Sequence, residues 1–405
     1  MSNEALYICW RRVKAGCLGL LFLIMRICPI KRNKIAFAAF EGDGGFGCNP
    51  RYIAEELHRR NNGLEMVWLT HHSPKVFPHY IKVVKDSKLN TAFHLSTACV
   101  WVDNYRKPYG TMKRRGQLYL QTWHAMIGFK AVGLFRGKAF PKIARLVSEW
   151  DSNLVDYVLS NSDYCDKIYP QKLLYSGDTL RTGSPRCDCI INDRKEIRIN
   201  IRKQYNLQEC IRLVLFAPTF RGGDKDGKKQ VRSQYTSIDF NKLLSALSAK
   251  TGGEWRVMLR LHPQLAARYK SMPLREASEE LIDVSQADDM SELIAACDLL
   301  ITDYSSCAFD AAFAKLPVLL YADDIEEYKE NRGSFMWERE ELPFLIAENN
   351  EELEDNVKRF DYEGYCKKID IFMNEYNVLE DGMASERVAD IIEEWIGTRC
   401  KPVNR

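Results

Sequence analysis

Short apolar runs recur along most of the chain, each separated from the next by a longer stretch of helical character, and that alternation leaves few folds open. Neighbouring antiparallel strands need only a tight turn between them, whereas parallel strands need a crossover long enough to hold a helix. The rhythm therefore predicts an α/β chain with parallel sheets. The expected strands are 35–40, 66–70, 100–102, 118–121 and 157–160, then 213–217, 256–261, 281–283, 299–302 and 318–321. A helix is expected over 50–60, with Pro50 at its first turn. The rhythm breaks once, around 187–210, where CDCIINDRKEIRINIRKQYNLQEC is charged before a new strand starts at Leu213. Two βαβ-type halves with a cleft between them follow from this, at 35–190 and 191–380. A segment 1–34 precedes them and a C-terminal helix, 381–405, closes the chain. In open parallel sheets ligands bind beyond the carboxyl ends of the strands, so chemistry is expected there.

The 405 residues are 46% hydrophobic and 28% charged, which excludes both a disordered chain and a multi-span membrane protein. A net charge of +3 makes no bulk polyanion binder. Seven basic residues against the single acid Glu4 lie within 1–34, so the positive charge is terminal and not a stripe, and nucleic acid is not an expected partner. The apolar run 15–25 is too short to cross a bilayer, and no small-residue cleavage site follows it. Trp10, Arg11, Arg12 and Phe22 instead suit a helix lying on an anionic membrane surface; the alternative is a helix packed on the core. A second basic amphipathic stretch, 129–146, carries Lys130 and Arg136 and is read in the same way, against a solvated helix pair. Thirteen cysteines, an odd number with no CxxC pair, read as small buried hydrophobes of a reducing compartment.

Gly42, Gly44 and Gly47 formally match GxGxxG after a strand. A nicotinamide site also needs an acid at the end of the second strand to hold the ribose, and here that strand ends in Thr70, His71 and His72. The glycines are expected to form a flexible loop at the cleft edge.

Four strand ends carry the candidate chemistry. Gln121-Thr122-Trp123-His124 leaves a strand with an imidazole that can act as base, or simply as a structural histidine. Arg260 and His262 lie two apart, on one face of a strand, where a guanidinium fork and an imidazole can hold phosphate oxygens. Thr219, Phe220 and Arg221 end a third strand before Gly222 and Gly223, an arrangement an ordinary turn would also explain. Ser305 and Ser306 stand at an expected helix start, as a phosphate cradle or as a cap, with Asp310 one turn on. Cations, hydroxyls and imidazoles without a carboxylate cluster suit a pyrophosphate donor and not a two-metal site.

In these motifs, together with Thr182-Gly183-Ser184-Pro185-Arg186-Cys187-Asp188 and Trp101-Val102-Asp103-Asn104, the chain resembles the CDP-glycerol glycerophosphotransferase family over roughly 35–380. The resemblance implies a GT-B fold of two Rossmann-like domains facing a central cleft, peripheral attachment to the cytoplasmic face of the cell membrane, and teichoic acid synthesis. It further implies transfer of glycerol or ribitol phosphate from CDP-glycerol or CDP-ribitol to a lipid-linked acceptor, releasing CMP, with no tightly bound cofactor and no metal. By motif position His124 and His262 would be catalytic. Trp123, Arg186, Thr219, Phe220, Arg260, Leu261, Ser305, Ser306 and Asp310 would line the donor site. Ala125-Met126 departs from the glycine-threonine usual after the histidine, and Cys187 stands where asparagine is usual. A nucleotide-sugar glycosyltransferase on the same fold and a non-catalytic membrane-surface protein are the rival readings.

Overall fold

The structure is a computed structural model that describes residues 3–60, 63–72, 77–219, 221–225, 228–232, 237–261, 280–332 and 335–400. The chain divides into two compact units. The first holds residues up to 126, 132–188 and 378 onward; the second holds 127–131 and 189–377.

The first unit is built on seven parallel strands, β1 (Lys31–Ala38), β2 (Glu65–Thr70), β3 (Lys82–Lys85), β4 (Ala98–Asp103), β5 (Leu118–Gln121), β6 (Tyr157–Ser160) and β7 (Thr179–Arg181). Their order across the sheet is β3-β2-β1-β4-β5-β6-β7, every neighbouring pair parallel. The central strands are buried on both faces, as in Ile35, Phe37, Val67, Trp68, Val100 and Trp101, which explains their unbroken apolar character. The order reverses between β1 and β4, and such a switch opens a crevice at the carboxyl ends of those two strands.

The first helix, α1 (Asn3–Met25), is longer than the apolar run suggested. Neither it nor any other helix among the described residues is long and apolar enough to cross a membrane. One face packs on the sheet: Leu18 and Phe22 join Leu69, Leu95, Trp101 and Tyr119 in one core cluster. Phe22, expected toward lipid, is 0% exposed, and burying such a ring contributes about 2 kcal/mol. The contact is close at Gly110, whose φ is +99° and where a Cβ would lie 2.4 Å from the Ala15 carbonyl oxygen. The opposite face is different. Leu6, Trp10, Val13, Leu20, Ile24 and Ile27 are exposed, and the Lys14 ammonium sits 3.5 Å over the Trp10 ring.

The expected second amphipathic stretch is not one helix. Residues 133–139 form a 3₁₀ turn, and α4 (Lys142–Ser152) begins only after Pro141. The helices between are α2 (Cys48–Arg59) and α3 (Lys88–Thr97), and α5 (Asp163–Lys172) follows β6. Phe129 is buried in the second unit and Lys130 pairs through its backbone with Phe335, so the start of the stretch is held within that unit.

Beyond the crossing helix α6 (Pro185–Asn192), the second unit repeats the plan. Its helix α7 (Arg194–Gln204) leads into β8 (Arg212–Ala217), then a two-stranded ribbon of β9 (Arg221–Lys225) and β10 (Lys228–Arg232). Helix α8 (Phe240–Thr251) and strands β11 (Trp255–Leu259) and β12 (Leu281–Asp283) follow, then α9 (Met290–Ala296) and β13 (Leu299–Thr302). The unit is completed by α10 (Cys307–Phe313), β14 (Val318–Tyr321), α11 (Ile325–Arg332), β15 (Leu345–Ala347), α12 (Asn350–Arg359) and α13 (Tyr362–Glu375). The sheet order is β12-β11-β8-β13-β14-β15, again all parallel, with the switch between β8 and β13.

The last helix, α14 (Ala384–Cys400), is no separate tail. It belongs to the first unit, where Arg60 Nη1 meets Asp390 at 2.7 Å and Glu393 at 2.6 Å. Asp188 accepts the Ala384 and Ser385 amides at 3.1 and 2.7 Å, capping the start of α14 from α6.

Candidate active site

In the first unit His124 stands just beyond β5, beside the switch. Its Nδ1 lies 2.9 Å from the carbonyl oxygen of Asn104, the residue after β4. A carbonyl only accepts, so Nδ1 carries the proton and Nε2 keeps the lone pair that a base needs. The Asn104 side chain accepts the Phe40 amide at 2.8 Å, which brings the end of β1 to the same point. The imidazole lies between aromatic neighbours: Phe40, Tyr105 and Trp123 have ring centroids 5.2, 5.7 and 4.6 Å away.

Burial, and after it the positive charges of Arg186, Lys172 and Arg106, lower the His124 pKa from 6.5 to about 4; the bond to Asn104 opposes the shift. The ring is thus neutral at physiological pH. Activity that needs this base is expected to stay level on acidification through 6.5 and to fall only near 4, as measured by the acid limb of kcat/KM. An acid limb near 6.5 would mean that the working group is not His124 in this setting. The sign for stability agrees. Between these two values the unfolded chain binds a proton that the folded one refuses, so the contribution of His124 to stability falls as pH drops through that window.

The loop carrying His124 is held by residues far away in sequence. Asn49, fully buried, donates from Nδ2 to the carbonyls of Thr122 (3.2 Å) and Trp123 (2.9 Å) and accepts the Arg186 amide at 3.0 Å. Arg186 Nη1 donates to the His124 carbonyl at 2.6 Å. Lys172 Nζ donates to the Ala125 and Met126 carbonyls, both at 2.6 Å. Phe40, Glu41, Cys48 and Trp123 all have φ between +48° and +57°, a region non-glycine residues avoid. Four such residues within the loops around one imidazole are the kind of strain that a functional site retains. The glycine loop is tied down and not loose: the Gly42 carbonyl accepts from Thr70 Oγ1 (2.9 Å) and the His71 amide (2.8 Å).

Trp123, expected against the donor, is 3% exposed, with the Arg106 guanidinium 4.9 Å over its ring. In this unit it supports the His124 loop. Arg186 likewise engages that loop through its side chain.

In the second unit the ends of β8 and β13 are joined. The Thr219 amide donates to both Asp303 carboxylate oxygens at 2.9 Å, and Thr302 Oγ1 donates to the Ala217 carbonyl at 2.6 Å. Asp303 also takes the Tyr304 amide at 2.6 Å, which fixes the turn into Ser305 and Ser306. Ser306 occupies the cap position of α10, and its side chain makes no capping hydrogen bond. Asp310 lies one turn along α10 and is buried. Arg260, whose pKa burial lowers, donates to the carbonyls of Val284 (3.3 Å) and Ser285. Leu261, expected to line the donor site, is 1% exposed and packs in the hydrophobic core with Leu259 and Phe216. Only its amide is engaged here, with Ser285 Oγ at 2.9 Å. His262 and Phe220 lie outside the described residues.

Asn49, Asn104, Lys172 and Asp303 were not singled out from the sequence as site residues. Asn104 stood within a quoted motif and Asp303 two residues before Ser305; Asn49 and Lys172 gave no local signal.

Residues 20–394 match the family described as CDP-Glycerol:Poly(glycerophosphate) glycerophosphotransferase. The chain belongs to this family. It is 28% identical over 387 residues to a teichoic acid poly(glycerol phosphate) polymerase of Bacillus subtilis, covering 92% of this chain and 50% of that protein. The chain thus spans about half the length of that relative. A teichoic acid ribitol-phosphate primase of Bacillus spizizenii is 27% identical over 398 residues, 95% of this chain and 97% of the relative. Among solved structures, the wall teichoic acid polymerase TagF, in a histidine-to-asparagine variant with CDPG, superposes with a TM-score of 0.79. The identity is 26%, and the match covers 99% of this chain and 100% of that one.

Proposed function

We propose that this chain transfers glycerol phosphate or ribitol phosphate from a CDP-activated donor to a lipid-linked acceptor of the teichoic acid type, releasing CMP. The observation that carries the reading is the His124 imidazole, whose Nδ1 is committed to the Asn104 carbonyl so that Nε2 is a neutral base at the switch of a parallel sheet. In the reaction the acceptor hydroxyl oxygen bonds to the phosphorus of the polyol phosphate. Its proton passes to Nε2, and the bond to the CMP phosphate breaks with CMP taking the electron pair. In the second unit, Arg260 and the hydroxyls of Ser305 and Ser306 are the groups suited to the diphosphate charge, with Thr219 and Asp310 beside them. His262, by its motif, would join them. The architecture this reading implies is GT-B. Its test is CMP release and product mass with CDP-glycerol and CDP-ribitol, each supplied with a lipid-linked acceptor. Absence of phosphodiester product with both donors overturns it.

The same reading places the chain peripherally on the cytoplasmic face of the cell membrane. Support comes from the outer face of α1, where exposed Leu6, Trp10, Val13, Leu20 and Ile24 lie with Arg12, Lys14 and Arg26. Basic residues at an anionic leaflet add about 1 kcal/mol each. Replacing Trp10, Leu20 and Ile24 together by glutamate, all at exposed positions, is expected to abolish co-sedimentation with vesicles of anionic phospholipid without unfolding the chain. Undiminished sedimentation would remove α1 from the attachment.

A further inference from the structure

The three carbonyls that follow one another from His124 to Met126 all accept hydrogen bonds from buried cations. Arg186 Nη1 takes the first and Lys172 Nζ the second and third, each at 2.6 Å. Lys172 is the last residue of α5 and is 5% exposed. The charged or titratable groups acting on it are Cys165 and Arg186, with no carboxylate among them. Burying an ammonium without a carboxylate is expensive, and such a group tends to lose its proton unless its surroundings hold it. Consistent with that, burial lowers the Lys172 pKa to about 8. What compensates here is the backbone of one loop, and the first residue of that loop is the candidate base.

The same helix end meets the chain again a few residues later. Gly133, at φ +63°, passes so close that a Cβ there would lie 2.3 Å from the Lys172 carbonyl oxygen and 2.4 Å from that of Gln171. Between these two anchor points residues 127–131 belong to the second unit, where Phe129 packs 4.9 Å from Phe309 and Trp337 Nε1 donates to the Gly128 carbonyl at 3.0 Å. The loop that starts with His124 therefore leaves the first unit after Met126 and is back in it from Val132, and the end of α5 meets it on both sides, at 125–126 and at Gly133.

We infer that Lys172 is a positioning residue for His124: its ammonium, beside the Arg186 guanidinium, pins the 124–126 backbone and so fixes where the imidazole is aimed. The inference rests on His124 being the base of the proposed transfer. Lys172 touches no reacting atom in this scheme; it acts through the loop. A misplacement of the order of an ångström at a reacting group lowers a rate by roughly 100-fold. The charge of Lys172 acts on the ring as well, together with those of Arg186 and Arg106, and all three disfavour the imidazolium.

The test uses the full chain with CDP-glycerol and a lipid-linked acceptor. Lys172→Met keeps the apolar stem and removes the charge. It is expected to lower kcat by about 10–100-fold with the donor KM unchanged, and to move the acid limb of kcat/KM to higher pH, because one cation facing His124 is gone. Lys172→Arg is expected to restore most of kcat and return the limb. Lys172→Gln, which can still donate to the carbonyls, is expected to keep more of kcat than the methionine variant while still moving the limb. Wild-type kcat in Lys172→Met, or a loss of kcat with an unmoved limb, overturns the inference. Failure of both neutral variants to fold also counts against it, since Lys172 would then be a residue of stability alone. Near-wild-type turnover in His124→Ala is a different failure and removes the base itself.

Discussion

Replacing His124 by alanine is expected to lower CMP release from a CDP-polyol donor by about 10²–10⁴-fold, the usual contribution of a positioned general base. The expectation follows from the tautomer. Asn104 accepts the Nδ1 proton, so the lone pair must lie on Nε2. The low proton affinity of the half-buried ring keeps that lone pair available throughout the physiological range. The loss belongs in kcat with donor KM little changed, because in the proposed transfer the base engages the acceptor hydroxyl and not the diphosphate. His124→Gln can preserve the bond to the Asn104 carbonyl through its amide but offers no comparable base. It is expected to fold like the wild type and to be as slow as the alanine variant. If His124→Gln turned over at near the wild-type rate, the imidazole would be a structural element only.

The second large effect is expected from Asn49→Ala. This side chain satisfies two carbonyls on the His124 loop and one amide at the start of α6, all inside the protein. Removing it strands the Thr122 carbonyl and the Arg186 amide and leaves the Trp123 carbonyl with the Thr122 hydroxyl at 3.2 Å; each stranded group costs on the order of 1–3 kcal/mol. Loss of about 3 kcal/mol of stability in the first unit is therefore expected, after partial relaxation. Denaturation followed by tryptophan fluorescence can read it, since Trp68, Trp101 and Trp123 are all buried in that unit. Turnover of the folded fraction should fall too, because Trp123 is strained at φ +50° and Asn49 is one of the groups holding it there. Asn49→Asp is informative beside it. A carboxylate can still accept the Arg186 amide but has no N–H for the two carbonyls, so little rescue is expected. Unchanged stability in Asn49→Ala would mean that water or a shifted loop replaces these bonds freely.

The fold was legible where periodicity is strong. The expected strands at 118–121, 157–160, 281–283, 299–302 and 318–321 coincide with β5, β6, β12, β13 and β14. Those missed are the edge strands β3, β7 and β15 and the β9-β10 ribbon. KVVK, TLR and LIA are short, and two of the three carry charge. Edges are kept short and charged because a long apolar edge invites pairing with another chain, and the same property hides them from a search for apolar runs. The N-terminal helix misled in a specific way. Phe22 was placed with Trp10 toward the membrane, but a helix turns every 3.6 residues, so Leu18 and Phe22 point into the core while Leu20 and Ile24 point out. Leu261 was carried over with its motif; its side chain packs in the core and its amide donates to Ser285 Oγ.

Residue order alone determined the parallel α/β class, the break between two halves, and the motifs by which the chain belongs to its family. Each of these is written locally, in apolar period or in short runs of contiguous residues. Which groups hold the imidazole was decided only by the tertiary structure. Asn49, Asn104, Lys172 and Arg186 come from the starts of α2 and α6, the end of β4 and the end of α5, and parallel crossovers bring them to one loop. Pairing of buried polar groups has no period along a chain, because its driving force is the cost of leaving a donor or acceptor unmatched wherever folding happens to bury it.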